Sequence, residues 1–159
     1  MTLRLVRIDD RLIHGQVVAV WLRAVGADRI VIVDDRVAAD AFLVDVLTLA
    51  APAGVPVEVL DVASGAARVR ALADARDAVF VLVKTPVTAL ALLRAGVPLD
   101  VVNLGGMGSG PGRRPLYRTI SASDDERAAL RDIEALGTPV EIRIAADDRP
   151  VPFASVDRQ

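Results

Sequence analysis

Five side chains near the start of the chain have types and a spacing that suit phosphoryl chemistry: Arg7, Asp9, Asp10, Arg11 and His14. His14 is the only histidine of the chain. An imidazole with an ordinary pKa is largely neutral at cytosolic pH and is therefore a competent nucleophile. The guanidinium groups of Arg7 and Arg11 can donate paired hydrogen bonds to phosphate oxygens. Taken alone, a lone histidine is more often structural, so the hypothesis depends on where the fold places it.

The position of His14 between a strand and a helix favours the chemical interpretation. The apolar run Leu3–Ile8 predicts a strand, and Gln16–Val25 has apolar residues one turn apart, which predicts a helix. A helix start leaves backbone N–H groups unpaired, and such groups bind anions. Gly15 removes side-chain bulk where an incoming group would approach. Histidine, arginine and a helix start together predict a phosphohistidine site.

The rest of the chain alternates strand and helix patterns. Strands are predicted at Arg29–Val33, Val57–Leu60, Ala78–Val83, Leu99–Leu104 and Val140–Ile144, with a short one at Tyr117–Ile120. Helices are predicted at Val37–Ala51, Ala66–Ala75, 86–95 after the Thr85 cap, and from the capping box of Ser123 and Glu126 to Leu136. This alternation predicts one α/β domain over residues 1–159, with an irregular tail over 145–159. Its three layers are an open, mostly parallel, twisted sheet and helices on both faces.

Composition narrows the class of protein. The chain is 53% hydrophobic with 3% aromatic residues and a mean hydropathy of +0.42, which suits a core of Val, Leu, Ile and Ala. A net charge of −2 argues against a nucleic-acid partner. Cysteine is absent, which excludes disulfides and thiolate metal sites and fits a cytoplasmic protein. No apolar run reaches the roughly 20 residues of a membrane span, so direct membrane insertion is not expected.

Other candidates also fall at the carboxyl ends of the strands, where such sheets bind ligands. The acid pair Asp34–Asp35 is more typical of helix capping than of a magnesium site, and no metal is expected. The glycine-rich segment 105–112 contains no G-x-G-x-x-G, and Pro111 stands where a Walker A loop needs lysine. Two interpretations of this segment remain open: a mobile wall beside the His14 loop, or a flexible connection. The nearby Arg113, Arg114 and Arg118 could face an acidic partner or be solvated.

The stretch Leu5–Val17, which reads LVRIDDRLIHGQV, closely resembles the active-site motif of one protein family. That family is the IIB component of the mannose/fructose/sorbose group of the bacterial phosphotransferase system (PTS). The likeness continues in Val37–Asp40, in Asn103–Met107 and in the capped last helix before Val140–Ile144. The resemblance therefore covers about the whole chain, and its first motif is long and specific.

The resemblance implies a function and a set of partners. His14 would be the transient phosphoryl carrier of a sugar phosphotransferase (EC 2.7.1 type) that needs no cofactor. The IIA component would donate the phosphoryl group from its own histidine, and the IIB protein would pass it to a sugar entering through the membrane components IIC and IID. The protein would be cytoplasmic and would dock peripherally on the inner face of the cell membrane.

The resemblance also implies roles for individual residues. Arg11 and Arg7 look like phosphate-binding residues, and Asp9 and Asp10 look like partners that order the loop. Gly15 and Gln16 would offer the helix start. The weaker expectations are Thr85 and Gly106, as further phosphate-binding or loop-ordering positions.

Three other classes of protein compete with this interpretation. A receiver domain, phosphorylated on aspartate, would place acids as Asp9, Asp10 and Asp61 stand, with Thr85 after the fourth strand. It would also need a lysine after the fifth strand, where this chain has Asn103–Gly105. A regulatory module could keep the same fold without transferring phosphate. A dinucleotide enzyme is weaker still because its fingerprint is missing.

Overall fold

The computed structural model describes residues 3–15, 17–75 and 77–158. Its strands are β1 (Leu3–Asp9), β2 (Arg29–Val33), β3 (Val57–Leu60), β4 (Val79–Val83), β5 (Val102–Gly106), β6 (Arg114–Tyr117), β7 (Ile120–Ala122), β8 (Val140–Ile142) and β9 (Val151–Pro152). Its helices are α1 (Val17–Val25), α2 (Asp35–Ala38), α3 (Ala41–Ala50), α4 (Val62–Asp74), α5 (Pro86–Arg94), α6 (Asp124–Ala135) and α7 (Phe153–Val156). No helix among the described residues combines the length and the apolar character needed to cross a bilayer.

One sheet of seven strands organises the molecule, in the order β3-β2-β4-β1-β5-β8-β9. The first six strands run parallel, and β9 pairs antiparallel with β8. Strands β6 and β7 form a separate antiparallel hairpin. The predicted α/β fold with a mostly parallel sheet is therefore confirmed, and β1, the strand that precedes His14, lies near its centre.

Alternation along the strands builds the core in two layers. On one face, Val31 and Val81 belong to a cluster that packs against α4, α5 and α6. On the other face, Ile30 and Phe80 belong to a cluster with α1 and with Leu47 of α3. Successive side chains of a strand point to opposite faces, so a continuous apolar run serves both layers.

The helix predicted over Val37–Ala51 is in fact two helices. Asp40 interrupts it because its backbone is extended and its carboxylate accepts a hydrogen bond from the Leu43 N–H at 3.2 Å. That bond caps the start of α3 and turns the chain away from α2. The short strand predicted at Tyr117–Ile120 is also wrong, because these residues surround the turn of the β6–β7 hairpin.

The expectation of an irregular tail from Ala145 is wrong in part. The chain returns as β9, and α7 follows directly, with Phe153 fully buried. Asp157 then accepts two hydrogen bonds from the Arg131 guanidinium, at 2.6 and 2.8 Å. A buried aromatic ring and a forked ion pair fix this end of the chain to α6, although Pro150 and Pro152 suggested otherwise.

Candidate functional site

The loop that carries His14 begins where β1 ends, between β4 and β5. Helix α1, which follows the loop, packs on one face of the sheet, while α5, which joins β4 to β5, packs on the other. In open parallel sheets, ligands bind at the carboxyl ends of strands where the connections diverge in this way. The fold thus places His14 where the sequence predicted a functional site. Gln16, also predicted here, lies outside the described residues.

Arg7 is buried beneath this loop, with 1% of its surface exposed. Nη1 donates to Asn103 Oδ1 at 2.7 Å and to the Arg143 carbonyl at 2.8 Å. Nη2 donates to Asp9 Oδ2 at 3.3 Å and to the Ile144 carbonyl at 3.0 Å. Four acceptors therefore match the four terminal N–H groups. A direct hydrogen bond from Arg7 to a phosphate would require one of these four hydrogen bonds to break.

The surroundings of Arg7 keep it charged despite its burial. Burial lowers the pKa of the Arg7 guanidinium, and the adjacent Asp9 carboxylate opposes that effect. The guanidinium also stacks over the ring of Trp21, with 4.5 Å between Arg7 Cζ and the ring centroid. Arg143 lies over the same ring at 5.4 Å. Arg7 thus ties β1 to α1 and to the segment after β8.

Asp9, which the family resemblance implied to be a loop-ordering residue, contacts both Arg7 and Arg11. Its buried carboxylate accepts from the Arg11 backbone N–H at 3.1 Å and from Arg11 Nε at 3.3 Å. The Asp9 carbonyl also accepts from the Leu12 N–H at 3.0 Å. The Arg11 side chain is 56% exposed. Arg11 Nη2 also donates to Asp9 Oδ2 at 3.5 Å. Asp9 therefore holds one side of the Arg11 guanidinium, and Nη1 has no hydrogen-bond partner among the described residues.

Two glycines of β5 leave space for the side chains of Arg7 and Asp9. A Cβ on Gly105 would lie 2.0 Å from Arg7 Cζ, and a Cβ on Gly106 would lie 2.8 Å from Asp9 Oδ1. Any side chain at position 105 would displace the guanidinium. Gly106 was predicted as a weak site residue; it also accepts the Asp10 N–H on its carbonyl at 2.9 Å. These glycines belong to the strand, and the glycine-rich loop begins after them.

The His14 ring is half-buried and faces back into its own loop. Nδ1 lies 3.0 Å from the Leu12 carbonyl oxygen, and Nε2 is enclosed without a hydrogen-bond partner among the described residues. Leu12 adopts a positive φ of 55°, an uncommon conformation for a residue with a side chain. Gly15 has a φ of 50° and open space around its Cβ position, so backbone conformation, and not crowding, is what favours glycine there.

Asp10 connects the loop to the glycine-rich segment. Its carboxylate accepts from the Gly108 N–H and from Arg113 Nη1, both at 2.9 Å. Arg113 also donates to both carboxylate oxygens of Glu126, at 2.9 and 2.8 Å. Of the two interpretations left open above, these bonds favour a wall beside the His14 loop. Arg113 is therefore an internal ion-pair residue.

The opposite charges of Arg113 and Glu126 stabilise each other. The Glu126 hydrogen bonds raise the pKa of Arg113. Burial acts to raise the pKa of Glu126, but hydrogen bonds from Arg113 and from the Ser123 backbone N–H lower it below its ordinary value. Both groups are therefore charged at neutral pH, and the Arg113–Glu126 pair is held by full charges.

The remaining edge residues act as helix caps. The Thr85 hydroxyl accepts from the Thr88 N–H at 3.4 Å and starts α5, while Asp34 and Asp61 start α2 and α4. Thr85 follows β4, which neighbours β1, but no hydrogen bond joins it to the His14 loop among the described residues. No cluster of histidine and acidic residues within the described ranges could hold a metal ion.

An open cavity of about 280 Å³ lies beside the start of the His14 loop, at Asp10 and Arg11. It is lined by Asp10, Arg11, the segment 105–108, Thr119 and Ile144. We call it the loop cavity. It brings the exposed Arg11 together with Thr119 of the hairpin turn and with the segment 105–108, and its volume suits an anion the size of a phosphoryl group. His14 is not among its described lining residues.

Comparison with known proteins agrees with the fold and shows the family. The family model for the "PTS system sorbose subfamily IIB component" matches residues 3–157. The sorbose-specific EIIB component of Lacticaseibacillus casei is 36% identical over 148 residues, which cover 93% of this chain and 90% of that protein. The mannose-specific EIIAB component of Escherichia coli K12 is 35% identical over 93% of this chain, which spans 46% of that protein. The crystal structure of the IIBSor domain of the Klebsiella pneumoniae sorbose permease superposes with a TM-score of 0.92 at 35% identity, covering 98% of this chain and 95% of that one.

Fold, loop and relatives together define a IIB component of the phosphotransferase system. Within that class, the chain belongs to the sorbose-type IIB family and is a sugar-specific subunit of the system.

Proposed function

We propose that this IIB component carries a phosphoryl group on His14, which it accepts from a IIA component and delivers to a sugar at the IIC and IID membrane components. One observation carries the proposal. The sole histidine of the chain lies at the carboxyl edge of the sheet, in a loop held by the Arg7–Asp9–Arg11 network. On this proposal the protein works at the cytoplasmic face of the membrane, with the other components as its partners.

Each transfer exchanges one bond to phosphorus for another. A lone pair on the His14 imidazole attacks the phosphorus of the donor's phosphohistidine. The P–N bond to the donor breaks, its electron pair returns to the donor imidazole, and a new P–N bond forms on His14. In the second transfer a sugar hydroxyl attacks the same phosphorus and a P–O bond forms. The P–N bond to His14 breaks, and the electron pair returns to the imidazole nitrogen, which takes up the hydroxyl proton. The phosphoryl group starts on an activated nitrogen, so positioning and charge neutralisation are what the protein must supply.

The ring of His14 must move for the first transfer. In the described conformation Nδ1 faces the Leu12 carbonyl oxygen and Nε2 is enclosed. A phosphorus atom can reach either nitrogen only after the Leu12 contact breaks or the ring rotates. Phosphorylation of one ring nitrogen then leaves the ring proton on the other nitrogen.

The two arginines have different tasks in this proposal. Arg11 is exposed beside the loop cavity and is the guanidinium that meets the phosphoryl oxygens. Arg7 was predicted as a second phosphate ligand. Because its terminal N–H groups are already matched by four acceptors, we assign it instead to positioning Asp9 and, through Asp9, Arg11.

The strand order argues against the receiver-domain alternative. A receiver would need its acidic residues to converge, but β3, which precedes Asp61, is separated from β1 by β2 and β4. At 4.7–4.9 Å per strand, three spacings put these strand ends about 14 Å apart. Asp61 moreover uses its carboxylate to accept from the Ser64 N–H at 2.7 Å.

The proposal is tested by the intact mass of the protein after incubation with phosphoenolpyruvate, the general PTS proteins and a cognate IIA. Wild type should gain one phosphoryl group. His14→Ala should gain none while keeping its circular dichroism spectrum, because a half-buried loop histidine contributes little packing. The label should be acid-labile and resist hydroxylamine. Arg23→Ala, at an exposed position on α1, is the matched control and should be labelled like wild type.

Three results would contradict the proposal. Labelling of His14→Ala at the wild-type level would place the phosphoryl group elsewhere. A hydroxylamine-sensitive label would indicate an aspartyl phosphate. An unlabelled wild type, with the IIA shown to be phosphorylated and a second IIA equally inactive, would favour a regulatory module.

A further inference from the structure

The turn of the β6–β7 hairpin contains an arginine in an unfavourable backbone conformation. Tyr117 pairs with Ile120, so Arg118 and Thr119 form a two-residue turn, and Arg118 has a φ of 47°. Such turns favour glycine or asparagine because a Cβ is strained at positive φ. Backbone strain of this kind is found most often at functional sites. Local stability therefore does not explain the arginine, and its side chain does not pair with a carboxylate among the described residues.

Arg118 lies beside the loop cavity. Thr119 lines the loop cavity itself, and Arg118 lines a second cavity of about 150 Å³, which we call the hairpin cavity. The two cavities share Ile144 in their walls. Arg118 also stacks on Tyr117, with 5.2 Å between its Cζ and the ring centroid, which keeps the guanidinium at the surface of the hairpin.

The hairpin cavity is strongly basic in a chain whose net charge is −2. Arg118, Arg143 and Arg149 line it, with Asp148 as the one acidic residue in its described wall. Arg143 donates to the carbonyls of Ala146 and Asp148, and the Asp148 carboxylate accepts from the Ala145 N–H at 2.9 Å. These two groups are thus engaged within the chain. The charges of Arg118 and Arg149 remain available to an acidic group from outside.

The placement of these two arginines fits a protein partner better than the phosphoryl group. The phosphoryl group is expected in the loop cavity with Arg11, whereas Arg118 and Arg149 line the neighbouring one. Both residues are exposed. A protein that brings a phosphohistidine to the loop cavity would also cover the neighbouring hairpin cavity with its surface. The exposed Arg118 and Arg149 could then pair with carboxylates of that protein.

We propose that Arg118 and Arg149 form a docking site for carboxylates on the surface of the phosphoryl-donor protein. The inference rests on the proposed function, because it assumes that a donor protein approaches His14. It adds the face of the molecule that the donor covers, the chemistry of the donor's contact surface, and a reason for an arginine in a turn where glycine would be more stable.

The test is the rate of phosphoryl transfer from the phosphorylated IIA to Arg118→Gly, measured by rapid quench. At limiting donor and low salt the rate should fall about tenfold, and the gap to wild type should close as ionic strength rises. At saturating donor the single-turnover rate should match wild type. Because glycine relieves the positive φ, the melting temperature of Arg118→Gly should equal or exceed that of wild type. Arg118→Lys should retain most of the rate, and Arg23→Ala should be unaffected.

A small chemical donor separates docking from phosphoryl binding. Phosphoramidate can label a histidine without presenting a protein surface. With it, Arg118→Gly should react like wild type, whereas Arg11→Ala should react more slowly. Equal slowing of Arg118→Gly with both donors would overturn the docking site, since it would place Arg118 at the phosphoryl group. Unchanged transfer from the IIA at all salt concentrations would overturn it as well. Failure of wild type to accept phosphate on His14 would instead overturn the proposed function.

Discussion

Arg7 holds the His14 loop by connecting three separated parts of the chain. Its guanidinium meets the carboxylate at the end of β1, the Asn103 side chain of β5 and two carbonyls that follow β8. All of these contacts are buried or nearly so, which makes them stronger than the same contacts in water. The hydrogen bonds of Arg7 therefore help to fix the conformation of the His14 loop.

Replacing Arg7 should cost stability as well as activity. In Arg7→Met, Asp9 keeps only its contacts with Arg11, and a buried carboxylate loses its inner partner. We expect a loss of about 3–5 kcal/mol in the free energy of unfolding, measured by urea denaturation. Arg94→Met removes an exposed ion pair with Asp132 and is the control, with an expected loss below about 1 kcal/mol. Equal losses for the two variants would show that Arg7 is not a structural centre.

The contact between Asp9 and Arg11 could be predicted from the sequence more readily than the burial of Arg7. Asp9 and Arg11 are two positions apart, so their contact follows from local spacing. The burial of Arg7 could not be predicted, because its partners Asn103, Arg143 and Ile144 lie 96 to 137 positions away. The closest signal in the sequence is the pair Gly105–Gly106, whose lack of side chains leaves room for a neighbouring group.

At the scale of elements, the start of α6 is connected to the candidate site. Glu126 closes the capping box with Ser123 and also binds Arg113, which in turn binds Asp10 in the His14 loop. The capping box was predicted from sequence, and the structure confirms it. The link through Arg113 was not predicted, because an arginine in a glycine-rich segment gives no indication of its partner.

Glu126 should make the stability of the protein depend on pH. Its folded-state pKa is lowered, since hydrogen bonds from Arg113 and Ser123 outweigh the effect of burial. Its contribution is therefore fully present above the ordinary glutamate pKa of about 4.3 and is lost as pH falls through the lowered value. Glu126→Gln should lose about 1.5–3 kcal/mol at pH 7, and its difference from wild type should shrink below pH 4.

Urea denaturation of both proteins from pH 3 to pH 7 measures this difference. Glu134→Gln, on the same helix and without an ion pair among the described residues, controls for the loss of a negative charge. A gap between Glu126→Gln and wild type that stays constant down to pH 3 would show that the ion pair with Arg113 does not stabilise the fold.

At the scale of the whole molecule, the tail completes the sheet and one face of the core. Strand β9 pairs with β8, and Phe153 of α7 joins the cluster that lies under α4, α5 and α6. Asp157 binds Arg131 of α6, and this contact lowers the pKa of the Asp157 carboxyl. The last described residues are therefore part of the folded unit.

Removing the Phe153 ring should destabilise the whole fold. Phe153→Ala leaves a cavity in the core, and we expect a loss of about 3–5 kcal/mol in the free energy of unfolding. Phe42 of α3 is 73% exposed, so Phe42→Ala is the control and should change stability by less than about 0.5 kcal/mol. Chemical denaturation of the three proteins under one set of conditions gives the comparison. A Phe153→Ala variant as stable as Phe42→Ala would show that the tail is dispensable.

The class of fold could be predicted because alternating strands and helices leave few arrangements for a parallel sheet. The place of β9 and α7 could not, since two prolines and several charges in a row are typical of an irregular segment, and tertiary contacts outweighed that preference. The order of strands within the sheet is likewise set by packing between elements far apart in the chain.

The contact between Gly105 and Arg7 has a consequence for how such chains can change over time. Nearly one hundred positions separate the two residues, yet a single added methyl group at 105 has no space while the guanidinium is in place. We therefore expect the two positions to change together, because a side chain on the strand would push the guanidinium away from its four acceptors. In a relative with a side chain at this strand position, we expect a loop of different shape even where the histidine is kept.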